Sequence, residues 1–362
     1  MTFTVEEYQR LQTSGARGAT LFTIENTLYL GVPQLAEDIG DAKGDMNSGN
    51  SDVDSIIFIW HEGKFTEYQR IPCHGAESIE YFSIGERHFI AIANIRSGTS
   101  PNYDMHTQSK LYEWDGHLFN EIQQFDTFAA KNAHAFMIDN DHYLAFAEGV
   151  IDGADNGKTN TSNLYKWDGA AFTLHQSFPS AWGYCFYSFM IDNTHYLAFA
   201  DQIGASVIYV LKKDKFEPFQ SMSPDGGGRA FLLFSHADTH YLAFANMMTD
   251  SVLYQWDGRT FIEAQTLTGK AGRYFSILNY KNEQYLLRNN FISGSREAPQ
   301  TKLKSVIYEW KETDFSEMLE ITTYGATQMN AFKKDGDYFI VVSNSLSDDI
   351  RFRTDSVVYK IA

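Results

Sequence analysis

Four basic residues, Arg17, Lys131, Arg229 and Arg273, fall at one equivalent position of a recurring segment; Glu77, Tyr184 and Thr327 occupy it in the other copies. Three residues further along each copy stand Thr20, Glu80, His134, Tyr187, Leu232, Ser276 and Asn330. The concentration of cations is unexpected in a chain with 46 acidic and 29 basic side chains and a formal charge of -17. A guanidinium binds carboxylate or phosphate through a two-pronged fork, so arginines ringed around one opening would hold an anion. Arg17, Lys131, Arg229 and Arg273 are therefore candidate ligand-binding residues, together with Glu80 and Trp182. The rings of Trp182 and Tyr184 would supply an aromatic surface. If the site is catalytic, the general acid/base is His134 or Tyr184, with Arg229 and Arg273 holding an anionic substrate; histidine suits that work because it titrates near neutrality. The same charges could instead pair with Glu77, Glu80 and the acidic loops to seal the opening, and the aromatics could be ordinary packing. At this level both readings stay open.

A second chemistry is offered by Asp45-x-Asn47 and Asn50-x-Asp52-x-Asp54. Alternating oxygen donors suit calcium, and Asp45, Asp52 and Asp54 are the candidate ligands. The order departs from the EF-hand loop, which needs a glycine at the sixth position and a distant glutamate. Asp152, Asp155 and Asn156 before Gly157 form a weaker set of the same kind. Solvated polar loops would look alike. The histidines His88, His142, His195 and His240 also tempt as a metal cluster, but they occupy the same place in separate copies, and scaffold is the expectation for them.

The elements that must position these residues are repeats. His-Tyr-Leu-Ala-Phe-Ala occurs at 142–147, 195–200 and 240–245, with a worn copy at 88–93. Each is followed by Ser-x-x-Tyr-x-Trp or close to it, then an Asp-Gly turn and Phe. A repeated unit decides the fold before any single residue does. The third copy reads as four strands at 133–138, 142–147, 163–167 and 172–178, with Asp168-Gly169 as the hairpin signal. Second strands begin near Thr27, His88, His142, His195, His240, Gln284 and Asp337, which makes seven repeats. The seventh lacks its last strand, and 3–11 at the other terminus matches 65–71, with Tyr8-Gln9-Arg10-Leu11 against Tyr68-Gln69-Arg70-Ile71. An all-β, seven-bladed β-propeller spanning 1–362, closed by its N-terminal strand, is the expected fold. Connections between second and third strands are long at 33–54, 95–108, 149–161, 291–304 and 345–355, and short at 202–205 and 247–250. Long structureless connections point to function or mobility; here they would build a cup that is low over blades four and five.

The succession Phe-x-x-x-Gln, a small residue, Phe, a turn, His-Tyr-Leu-Ala, then Ser-x-x-Tyr-x-Trp resembles the epilepsy-associated repeat, also called the EPTP repeat, of the leucine-rich glioma-inactivated type. The resemblance runs through the whole chain and is clearest in blades two to five. It implies a propeller that binds other proteins, usually outside cells, and carries no catalytic residue over. The Trp-Asp pairs at 114–115, 167–168 and 256–257 lack the Gly-His partner of a WD repeat. This chain shows no leucine-rich domain.

Acidity argues against a nucleic-acid partner, which needs a basic face, and against anionic membrane surfaces. Cys73 and Cys185 give neither a disulfide framework nor a zinc spacing, and no apolar run approaches the length of a membrane span. Residues 1–13 carry no charged-then-apolar leader pattern, so a cytoplasmic monomer is expected, or a secreted one if a leader has been removed. Nucleophile elbow, phosphate-cradling loop and zinc-protease helix are all absent from the sequence. The Asn160 sequon decides nothing. Two functions remain: a propeller binding a protein or small anionic ligand in its cup, and an enzyme acting on an anionic small molecule with its site at the same channel mouth.

Overall fold

A computed structural model describes residues 3–40, 44–150, 160–295 and 297–362. It contains seven four-stranded antiparallel sheets and two small hairpins, with no helix among the described residues. The fold is a seven-bladed β-propeller, as the repeats predict. Contacts divide the chain into two compact units: 1–75 with 97–103 and 268–362, and 76–96 with 104–267. The first holds blades six, seven and one; the second holds blades two to five.

Each conserved-looking motif has one physical task. The second strand, such as Asp141–Ala147, is buried from Tyr143 onward. It lies inside its sheet with neighbouring sheets on both faces, which is why Tyr-Leu-Ala-Phe-Ala does not alternate. Fourth strands such as Phe261–Leu267 are largely exposed and buried only at their ends. The motif serine caps the end of the second strand. Ser162 Oγ accepts the Glu148 N–H at 2.8 Å and Ser206 Oγ that of Asp201 at 3.1 Å; Ser109 and Ser251 do the same for Asn94 and Asn246. The Asp-Gly turn is closed by the aspartate, whose Oδ1 accepts two N–H groups: His117 and Leu118 at Asp115, Ala170 and Ala171 at Asp168, Arg259 and Thr260 at Asp257. These backbone donors hold the three carboxyls below their usual range.

The glutamine of Phe-x-x-x-Gln staples neighbouring blades. Gln220 donates from Nε2 to the Phe261 carbonyl at 2.7 Å and accepts the Phe261 N–H at 2.9 Å. Gln123 grips Phe172 and Gln176 grips Phe216 in the same two-bond way. Gln220→Ala should therefore leave two backbone groups of the next blade unmatched. A loss of about 1–3 kcal/mol is expected, read as a lowered thermal midpoint; an unaltered midpoint would show that the staple holds nothing.

In the first unit the N-terminal strand Val5–Leu11 pairs with the C-terminal strand Ser356–Ile361, from Val5 opposite Ile361 to Leu11 opposite Ser356. Gln9 makes the two-bond staple to Phe65 of blade one, so the strand taken from the other end of the chain carries the full function of a fourth strand. Phe3 and Leu11 are buried, and Tyr8 stacks on Trp60.

The connections differ from expectation. Two of the long ones are not structureless: Ser97–Thr99 pairs within the 97–104 hairpin, and Ser293–Gly294 pairs with Pro299–Gln300. A hairpin satisfies its own backbone groups, which a free loop cannot. Gly98 and Gly294 take a positive φ within the first strand of each hairpin, 88° and 82°. The 33–54 connection is also tied down: Glu37 bridges Asn50, and Asn50 bridges Thr99.

Candidate functional site at the start of the first strands

The position shared by Glu77, Tyr184, Arg229, Arg273 and Thr327 is the extra residue of a β-bulge. In each case the register with the second strand skips it: between Ala76 and Ser78, Gly183 and Cys185, Gly228 and Ala230, Gly272 and Tyr274, Ala326 and Gln328. Lys131 donates its N–H to the Ala147 carbonyl, which Asn132 also faces, and Arg17 donates to the Pro33 carbonyl. A bulge re-aims one side chain out of the alternation of its strand. That is how the fold sets these five side chains apart from sheet packing. Glycine precedes three of the bulges because the chain turns tightly against its neighbours; a Cβ on Gly183 would sit 2.8 Å from the Glu148 carbonyl oxygen and from the Phe199 ring.

In the second unit three of these residues, Lys131, Tyr184 and Arg229, meet beside Trp182. Lys131 is buried and donates from Nζ to the carbonyls of Ala129, at 2.8 Å, and Gly149. Its ammonium lies 5.5 Å from the Tyr184 ring centre and 5.9 Å from that of Trp182. The Arg229 guanidinium lies on the Tyr184 ring at 3.6 Å and reaches Met247 Sδ at 3.1 Å. Cations held on aromatic faces gain from the ring quadrupole, the more so away from water. Trp182 and Tyr184 are half-buried and present this backed surface.

Two carboxylates that the sequence reading passed over complete the cluster. Asp201 accepts the N–H groups of Ala181, Trp182, Ile203 and Gly204, between 2.7 and 3.1 Å, and so shapes the turn that carries Trp182. Glu148 accepts the Phe128 N–H and the Asn163 side-chain amide. Both end second strands, where blades two, five, six and seven have Asn94, Asn246, Asn290 and Asn344. An acid in place of asparagine in blades three and four was a legible signal. Burial pushes Glu148 up to about 7, and burial pulls Lys131 down to about 7 against the attraction of Glu77.

The sign of the stability effect follows from who holds the proton. Between about 7 and the ordinary lysine range the unfolded chain binds one more proton at Lys131, so stability rises with pH there. Between the usual carboxylate range and about 7 the folded chain binds one more at Glu148, so stability falls as pH rises. Each tenfold change in proton affinity is worth about 1.4 kcal/mol, which puts each effect on the order of 3–5 kcal/mol in total. Lys131→Met should flatten the rise above pH 7 and Glu148→Gln the fall below it, in thermal midpoints taken from pH 5 to 9.5. Profiles parallel to the wild type would refute the assignment.

The second set of positions caps free strand edges. Glu80 Oε1 accepts the Ala135 N–H at 3.0 Å, His134 Nε2 the Ser188 N–H at 2.9 Å and Tyr187 Oη the Leu233 N–H at 3.1 Å. First strands are sheet edges, and each blade supplies the partners that the next edge lacks. His134 and Tyr184, the alternative candidates for the general acid/base, thus lie in different contacts. In the first unit Arg17 and Arg273 share one ring, with guanidinium carbons 5.3 and 4.6 Å from the centre of Phe291.

The calcium candidates are engaged separately. Asp45 accepts the Asn47 N–H; Asp52 meets His74 Nδ1 at 2.6 Å and the Gly98 N–H at 3.2 Å; the Asp54 carbonyl accepts from Gln34. Among the described residues no three His, Cys, Asp or Glu side chains are grouped to hold a metal ion. Asp152, Asp155, Asn156 and Gly157 lie outside the described residues. Of the repeated histidines, His88 and His240 bond within their own blades, to Tyr81 and Ser235. Another feature missed from sequence is Arg288, fully buried where other blades have Phe146, Phe199 or Phe244. It donates to the carbonyls of Thr268, at 2.8 Å, and Gly269.

The EPTP domain matches residues 64–115, 171–211 and 215–257, so these parts of the propeller are similar to EPTP repeats. Each match begins at or just before a fourth strand and runs into the next blade, the phase in which the ring is closed. The chain is 29% identical over 369 residues to the Homo sapiens thrombospondin-type laminin G domain and EAR repeat-containing protein, covering 98% of this chain and 46% of that protein. It is 28% identical over 107 residues to the Mus musculus leucine-rich repeat LGI family member 2, covering 30% and 14%. It therefore spans less than half the length of these curated relatives. Among solved structures, the SapL1 lectin in complex with alpha methyl fucoside superposes with a TM-score of 0.50 and 12% identity, covering 86% of this chain and 98% of that one. That likeness shows the fold.

Proposed function

We propose that this chain is a binding propeller that takes a carboxylate-bearing ligand, either an acidic segment of a protein partner or a small anion, on the Trp182–Tyr184 surface of its second unit. The observation that carries the reading is the backing of two half-buried rings by two buried cations in a chain of formal charge -17. The cations attract an anion placed beside the rings they rest on, and aromatic residues with arginine are the usual anchors of recognition surfaces. EPTP repeats in longer proteins alongside laminin G or leucine-rich domains suit a recognition role. Cys73 and Cys185 are free, so the fold needs no oxidising compartment. Among the described residues no helix is long and apolar enough to cross a membrane. The role is proposed for a monomer, in the cytoplasm or, if a leader has been removed, outside the cell.

Calorimetric titration with citrate and with a hexaglutamate peptide tests this and separates the two sources of carboxylate. Saturable binding of either that is weakened by Arg229→Ala supports the proposal. Binding of neither, or binding indifferent to that change, overturns it.

A further inference from the structure

We infer that Ser188, His134 and Glu80 form an acyl-transfer site that serves an apolar cavity in the second unit. Ser188 Oγ lies 3.0 Å from His134 Nε2, and His134 Nδ1 lies 3.4 Å from Glu80 Oε1. A hydroxyl, an imidazole and a carboxylate in that order are the parts of a nucleophile activated by a base that a third group orients. The tautomer is settled by the backbone. The Ser188 N–H can only donate, and it donates to His134 Nε2 at 2.9 Å. Nε2 therefore carries the lone pair, and Nδ1 carries the hydrogen that faces Glu80. That is the arrangement in which Nε2 can take a proton from a serine.

Edge capping alone does not call for the hydroxyl. The residues capped at the equivalent place in blades three and five are Ala135 and Leu233, which carry no nucleophile. Ser188 also stands in the wall of a cavity of about 210 Å³, whose other sides include Phe136, Phe189, Tyr196, Phe216 and Met190. Met190 is 52% exposed and leaves the cavity open toward solvent. Apolar, aromatic walls with two polar residues, Ser188 and His195, placed among them describe a small-ligand pocket, and here they would receive a short acyl chain with its carbonyl at the Ser188 hydroxyl.

The step is a displacement. Ser188 Oγ bonds to the carbonyl carbon of an ester, and its proton passes to His134 Nε2. The bond to the leaving alcohol breaks, and that alcohol departs with the proton from Nε2. Water then attacks the acyl-serine by the same route, releasing the carboxylic acid and restoring the serine. Because the hydroxyl shares the Nε2 lone pair with the Ser188 amide, acylation is slow, and the adduct rather than turnover is the quantity to measure. These residues are separate from the Trp182–Tyr184 surface, so the inference does not depend on the binding proposal.

The experiment is incubation of the full chain with p-nitrophenyl butyrate and, separately, with a fluorophosphonate, followed by intact mass and peptide mapping. The expected result is one adduct per chain, on Ser188. It should be absent from Ser188→Ala, which keeps the capping amide and the thermal midpoint. In His134→Gln the adduct should form more than tenfold more slowly. In Glu80→Gln the rate should fall while the melting profile is kept. No adduct on the wild type, or an adduct that persists in Ser188→Ala on Lys131, Cys73 or Cys185, would overturn the inference.

Discussion

Deleting residues 1–12 should lower the thermal midpoint by roughly 5–10 °C. The strand Val5–Leu11 is the fourth strand of blade seven, paired along its length with Ser356–Ile361. Its loss strips the burial of Phe3 and Leu11, each 3% exposed, and a buried side chain of this size is worth about 1.5–3 kcal/mol. It also removes the Gln9 staple on Phe65 and the Tyr8–Trp60 stack. The sum is several kcal/mol. For a chain of 362 residues that corresponds to the stated shift, taking about 2 cal/mol/K of unfolding entropy per residue. The strand Ser356–Ile361 would become a bare edge, prone to pairing with other chains. A synthetic peptide of residues 1–12 added to the truncated chain should restore part of the midpoint. A truncated chain that melts like the wild type would show that the ring does not need its N-terminal strand.

The second large effect is expected at Arg229. Its guanidinium rests on Tyr184 at 3.6 Å, so Arg229→Ala removes a cation and the support of the ring in front of it. Affinity for a carboxylate probe should fall by more than tenfold, which is about 1.4 kcal/mol of binding free energy. Arg259→Ala makes the same change in net charge on the exposed Asp257-Gly258 turn, where only the Arg259 backbone is bonded. It should leave affinity unchanged. Equal losses in the two variants would mean that the probe reads overall charge and not a site.

The fold was legible because each repeated residue does the same job in every blade that keeps it. Serine caps the second strand, glutamine staples the next blade, aspartate closes the hairpin. A motif with a fixed task leaves a fixed spacing, and the missing strand could be matched to 3–11 for the same reason. What escaped the sequence reading lies where that regularity breaks. A bulge adds one residue without disturbing the alternation on either side of it, so the re-aimed side chains of Tyr184, Arg229 and Arg273 could be aligned but not oriented. Glu148 and Asp201 sit where the second strands end, away from the first-strand positions that align as a ring, and only their departure from asparagine marks them. The proximity of Ser188 to His134 follows from a contact between blades, to which neither residue's own repeat gives a clue. The hairpins within 95–108 and 291–304 are short and polar, and short polar stretches have no periodicity that separates strand from loop.

Recognition at the Trp182–Tyr184 surface is tested most directly by the indole N–H resonances of the six tryptophans in a ¹⁵N-labelled chain. The resonance lost in Trp182→Phe identifies Trp182, whose Nε1 is buried without a hydrogen-bond partner among the described residues. On titration with citrate or hexaglutamate this resonance is predicted to move saturably while the other five hold still, and in Arg229→Ala it should move only at more than tenfold higher probe concentration. Movement of other indoles with Trp182 stationary, or no movement at all, would contradict the assignment of the binding site.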